Sequence, residues 1–150
     1  MVSRSSTFSA TGTTQLLAPA NRTTTTTSAS LDTRDGESAA LLFNVGAAGD
    51  TLSGTVYIEL EVQESNDNST WTAVANTDLN NYVTGSTNAG TAKKIAANAD
   101  ANQAYLVGYK GGMRYIRGVD RRTGTHSTGT PTGIVGISGR RHLAPANANT

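Results

Sequence analysis

TVYIELEVQESNDNSTWTAV, residues 55–74, holds the clearest strand in the chain. Val56, Ile58, Leu60 and Val62 alternate with Tyr57, Glu59, Glu61 and Gln63. Successive side chains of an extended chain point to opposite faces, so this period predicts one apolar face and one polar, wet face. Ser65–Ser69 supplies turn residues whose short polar side chains bond nearby backbone and tolerate left-handed geometry. Thr70–Val74 is expected to return as the partner strand. Trp71, the only tryptophan, is expected to pack in the core or at an edge, opposite Val62 or Leu60.

Outward from this hairpin the chain offers further strands and no convincing helix. Ser38–Val45 is nearly continuous in apolar residues, as for a strand covered on both faces. Gln103–Tyr109 and Met113–Asp120 flank glycines suited to a tight hairpin turn. In the second of these, Met113, Tyr115, Arg117 and Val119 share one face and Arg114, Ile116 and Asp120 the other, and the pattern leaves open which is inside. Thr132–Ser138 is a final strand. Lys93–Ala97 fits either a strand or a helical turn, and Asn76–Gly90 a long loop with one short extended piece. The expected fold is all-β, an antiparallel β-sandwich or small β-barrel of about seven strands with an extended N-terminal arm.

Residues 1–30 are Ser-, Thr- and Ala-rich, with Thr23–Thr27 unbroken threonine and Leu16-Leu17 in the one apolar cluster. Two readings stay open there: a tail with too little apolar area to offset ordering, or an arm that orders on a neighbouring subunit. The expected organisation is this arm, a β-domain over residues 31–143, and a C-terminal tail over 144–150.

The hydrophobic fraction is 36% and the charged fraction 15%, both low, which suits a β-rich protein with long polar connections rather than a helical bundle. Net charge is +1, so no global field recruits nucleic acid or membrane. The charges are nonetheless segregated. Asp32, Asp35, Glu37, Asp50, Glu59, Glu61, Glu64, Asp67 and Asp78 face only Arg34 in their block, and Lys110, Arg114, Arg117, Arg121, Arg122, Arg140 and Arg141 face only Asp120 in theirs. Neutralisation between neighbouring strands is the first expectation, and neutralisation between copies or partners the second. No cysteine is present, which excludes disulfides, thiolate metal sites and cysteine nucleophiles. Met1–Ala20 lacks the apolar core of a signal peptide, and no segment has the ~20 apolar residues of a membrane helix. A soluble protein made in a cytoplasm is expected.

No motif carries catalytic chemistry. His126 and His142, the two histidines, lack an acid or hydroxyl at a recognisable spacing. Asp32, Asp35 and Glu37 open like a calcium loop that the later positions do not continue, and Asn66-Asp67-Asn68 is better taken as a hairpin turn. Gly108–Gly112 lacks the GKS/T ending of a phosphate loop. Basic residues interleave with Tyr105, Tyr109 and Tyr115. That suits single-stranded nucleic acid, but Tyr and Arg are also favoured interface anchors, and the acidic block argues for a protein partner.

ESNDNSTWTAV (64–74) and VGYKGGMRYIR (107–117), with Gly133–Ile137 and Arg140-Arg141-His142, resemble small β-proteins among the structural genes of tailed bacteriophages. The resemblance covers about half the chain and consists of turn and strand patterns. It implies a virion component without enzymatic activity or cofactor, foremost a head decoration or cement protein. Such a protein binds the major capsid protein on the capsid exterior as a small homo-oligomer, with a trimer favoured, and is made in the host cytoplasm. Neither membrane nor nucleic acid is expected as a partner. A minor tail or head-completion protein is the alternative, as is a carbohydrate- or cell-surface-binding β-module. The expected contact residues are Leu16, Leu17 and Thr25 of the arm with Tyr109, Arg114, Tyr115, Arg117, Arg121 and Arg122 of the basic hairpin.

Overall fold

The alternating stretch forms strand β4 (Tyr57–Ser65) in the middle of one of two sheets in the computed structural model, which describes residues 11–82 and 88–141. The other strands are β1 (Thr11–Arg22), β2 (Thr26–Asp32), β3 (Gly36–Val45), β5 (Thr72–Ala73), β6 (Leu79–Asn80), β7 (Thr91–Ile95), β8 (Gln103–Tyr109), β9 (Tyr115–Thr123) and β10 (Thr130–Arg141). The first sheet has the order β1-β10-β3-β8-β6. The second runs β2-β9-β4, with β7 and β5 side by side along the far edge of β4. Every pairing is antiparallel, and the sheets pack face to face as a sandwich.

Among the described residues ten strands thus stand against the expected seven or so. The hairpin from β4 is present but short, with Gln63 opposite Ala73 and Glu64 opposite Thr72. Residues 93–95 belong to a strand, not a helical turn. Leu41, Phe43 and Val45 of β3, Val107 of β8 and Ile134 of β10 meet Ile58, Leu60, Val62, Ile95 and Ile116 across the interior. Each fully buried side chain of this size stabilises the fold by about 1.5–3 kcal/mol. Gly118 lets the sheets close, since a Cβ there would lie 2.8 Å from Ile134 Cδ1 and 3.0 Å from Phe43 Cε1. On the outer side of β3, Ala40 and Leu42 stay half-buried, so that strand is not fully covered on both faces.

The expected boundary at residue 30 is corrected. β1 pairs along its length with β10, and β2 pairs with β9, so residues 11–30 are part of both sheets. An edge strand of this kind needs little apolar area of its own: Leu16 is buried in the core, where Gly136 makes room for it beside Leu31, and Leu17 packs partly against it. Pro19 is tolerated because the edge of a sheet needs no donor there. Thr23–Thr25 form the corner between the sheets and Thr26-Thr27 begin β2. Residues 1–10, Val83, His142 and the 144–150 tail lie outside the described residues.

The expected wet face of β4 is also corrected. Tyr57, Glu59 and Glu61 are as buried as the apolar residues between them. What covers them comes from elsewhere in the chain, and it makes the most elaborate side-chain network in the molecule.

Candidate functional site

β9 brings four of the expected contact residues to the sheet that holds β4. Its even positions Ile116, Gly118, Asp120 and Arg122 enter the interior, which leaves Tyr115, Arg117 and Arg121 on the outward face. Arg121 sits opposite Glu59 and donates from Nε to Glu61 Oε2 at 2.5 Å. Gln63 Nε2 donates to the other Glu61 oxygen at 2.8 Å. Arg117 reaches Gln63 Oε1 with Nε at 2.9 Å and Nη2 at 2.7 Å, and its guanidinium lies 4.2 Å from the centre of the Trp71 ring. Trp71–Arg117–Gln63–Glu61–Arg121 is therefore one continuous chain of contacts across the outward face.

Two flanks complete it. On the β7 side, Lys94 lies opposite Glu59 and places Nζ 3.8 Å over the Tyr57 ring, while Asn88 donates to Glu59. At the far end, Arg114 donates to Asp32 Oδ2 from Nε and Nη2, at 3.1 and 2.8 Å, and stacks 4.5 Å from Tyr115. The bond to Glu61 raises the pKa of Arg121. Burial lowers that of Arg117, and the charge of Glu61 pulls it back up. The acidic and basic blocks of the sequence thus meet within the fold, on neighbouring strands.

The interior holds a second polar system. Arg122 forms a two-pronged pair with Asp120, at 3.1 and 2.9 Å, and Arg122 Nη2 also donates to Thr130 O and Thr132 Oγ1 at 3.0 Å. Both side chains are shut from solvent, at 2% and 0% exposure. Thr25 Oγ1 accepts from the backbone N–H of Arg122 at 2.9 Å, tying the corner of the threonine run to β9. Tyr109 donates to Glu64 at 2.5 Å and accepts from the N–H of Met113 at 2.9 Å. Burial, then the bond to Glu64, pushes the Tyr109 phenol well above its usual range.

His126, Ser127 and Asp50 adjoin, but not in the order that acyl transfer requires. His126 Nε2 faces two backbone acceptors, Thr123 O at 3.1 Å and Tyr57 O at 3.3 Å, so it donates there and has no lone pair for a hydroxyl. Ser127 Oγ donates to Asp50 instead, at 3.1 Å. Asp50 also accepts from the N–H groups of Thr128 and Gly129, at 2.8 and 2.7 Å, and these bonds lower its pKa. Asp67 likewise spends both oxygens on its own turn, accepting from Ser65, Ser69 and Thr70, with Asn68 at φ 59°. Asp32 accepts from the N–H of Arg34 and caps a short turn. No group of three His, Asp or Glu side chains among the described residues is placed to hold a metal ion.

Of the expected contact residues, the structure gathers Arg114, Tyr115, Arg117 and Arg121 on or beside one face. It places Leu16 and Arg122 inside the sandwich, Tyr109 half-buried between the sheets, Thr25 at an exposed corner, and Leu17 on the outward face of the other sheet. Sequence reasoning missed the partners of those cations, Gln63 and Glu61, because they lie 54 and 60 residues away. No family model, curated protein or solved structure matches this chain.

Proposed function

We propose that this protein is a structural component of a tailed-phage virion, a head decoration protein that binds the outer surface of the major capsid shell and stabilises it. The observation that carries this reading is what the reactive side chains do. His126, Asp50, Glu59, Glu61, Asp120 and Arg122 are bonded to neighbouring side chains or to backbone, so these groups serve a rigid scaffold. The turn and strand patterns of its sequence supply the kind of scaffold.

The shell-facing surface in this reading is the outward face with Trp71, Arg117, Tyr115 and Arg114. Trp, Tyr and Arg are the side chains that most often anchor protein interfaces. Here stacking and hydrogen bonds hold them in place beforehand, so binding loses little of their conformational freedom. Many such contacts on a symmetric shell, linked through an oligomer, add through effective concentration.

The test is cosedimentation of the purified protein with undecorated heads. The expected result is saturation at a fixed ratio to capsid subunits, with a higher shell melting temperature. The double variant Trp71→Ala, Arg117→Ala should bind ~10–100-fold more weakly while keeping its own fold. Absence of saturable binding by the unaltered protein would overturn the head reading.

A further inference from the structure

The outward face of the β1-β10-β3-β8 sheet has no charged side chain at its centre. Cross-strand neighbours run Gln15–Val135–Leu42–Leu106 in one row and Thr13–Ile137–Ala40–Gly108 in the next. A third row places Gly133 beside Asn44 and Ala104. Leu106, at 49% exposure, and Tyr82, at 42%, are the large hydrophobic residues most open to solvent among those described. Leu106 lies on this face, and Tyr82 shares a hollow with it. Glu37, Lys110 and Lys93 sit only at the rim, beside hollows that border the face. An apolar centre with a polar rim is the anatomy of a protein interface.

We infer that this face is a self-association surface, on which a second copy of the chain packs sheet to sheet about a two-fold axis. Three features point to a copy as the occupant. First, open apolar side chains and hollows lie together on one patch. Val135 and Ile137 line hollows of about 240 and 460 Å³ on this face, and Leu106 lines one of about 360 Å³ at its β8 edge, with Leu42 between Val135 and Leu106 in the same row. A two-fold contact needs ridge and hollow together on one patch, because the same patch serves both partners. Second, an uncharged centre meets its own copy without like-charge repulsion.

Third, the area is right. Strands of 12, 12, 10 and 7 residues, at ~3.3 Å per residue and ~4.8 Å spacing, give a face of roughly 650 Å². Two such faces bury about 1,300 Å², within the range of specific interfaces. The alternative route, strand addition at the β1 edge, is blunted by Pro19 and by register shifts between Gln15 and Leu17 and between Leu17 and Ala20.

The inference is independent of any shell, so its test is made on the free protein. Sedimentation equilibrium from about 1 to 100 μM is expected to show a monomer–dimer equilibrium. Leu106→Lys changes an exposed side chain, so folding survives, and the dimer should dissociate ~100-fold more readily. Leu42→Lys, between Val135 and Leu106 in the same row, should do the same with an unchanged circular dichroism spectrum. A protein that is monomeric throughout the range overturns the proposal. So does a trimer, or a dimer that both variants leave intact.

Discussion

The two sheets handle charge in opposite ways. The β2-β9-β4-β7 sheet carries ionisable groups in the middle of its strands, on both faces: Glu59, Glu61, Arg117 and Arg121 outward, and Asp120 and Arg122 inward. The other sheet has charged residues only at its strand ends, at Arg22, Glu37, Arg140 and Arg141. The consequence is an inversion of what exposure would suggest. The carboxylates of the charged outward face are buried under their own partners, whereas the uncharged face is open. A polar sequence pattern therefore does not mark a solvated face, and an apolar one does not mark a covered face. What matters is whether the partners of a residue lie within the same chain.

The contrast is sharpest between Arg121 and Arg122, adjacent on β9 and pointing to opposite sides. The largest effect is expected at Arg122. Arg122→Met leaves Asp120 charged, fully buried and unpaired, which costs about 3–5 kcal/mol. Urea unfolding should show this as a fall in midpoint at constant slope. Asp120→Leu added to Arg122→Met removes the stranded charge and should recover most of the loss. If the double variant is no more stable than the single one, the cost lies in packing and not in the unpaired carboxylate.

A smaller effect is expected next door. Arg121 is 32% exposed, and Glu61 keeps its bond from Gln63 when Arg121 is removed. Arg121→Ala should therefore cost about 1–2 kcal/mol, the penalty of one missing partner at a buried carboxylate. A loss as large as that of Arg122→Met would mean that the outward network is as closed to water as the interior pair.

These two residues also show how much of the fold is legible along the chain. Alternation located β4 and β9 and grouped their residues by face, because the period of a strand is a local property, but for β9 it left open which face is inside. It did not say what covers a face. Glu59 and Glu61 alternate with apolar residues as solvated residues would, yet Arg121 and Asn88, from distant segments, bond them and Lys94 lies opposite Glu59. The same limit explains the N-terminal segment. Its threonines and single buried leucine lack the composition of a core strand, but β10 supplies the glycines against which such a strand can lie. The segregation of charge was readable in both respects, since the acidic and basic blocks fall on strands that pair. The assignment of Arg122 to the surface failed because an arginine inside a core is recognisable only with its acid two residues before it on the same inward face.

The smallest effect concerns the turns rather than the sheets, and at neutral pH it is silent. Asp67 is held well below the usual carboxylate range by the N–H groups of Thr70 and Ser69, and Asp50 is lowered by that of Thr128. A carboxylate with a depressed pKa in the folded state binds its proton more weakly there than in the unfolded chain. Its contribution is therefore present above the unfolded value, about 3.9, and is lost as pH falls below it. Stability should be level in these two groups from about pH 7 to pH 5 and should decline below about pH 4. Asp67→Asn removes one titrating group, so its stability should change less across the acid limb than that of the unaltered protein. Equal acid limbs would show that the Ser65–Thr70 turn is already open before the protein unfolds.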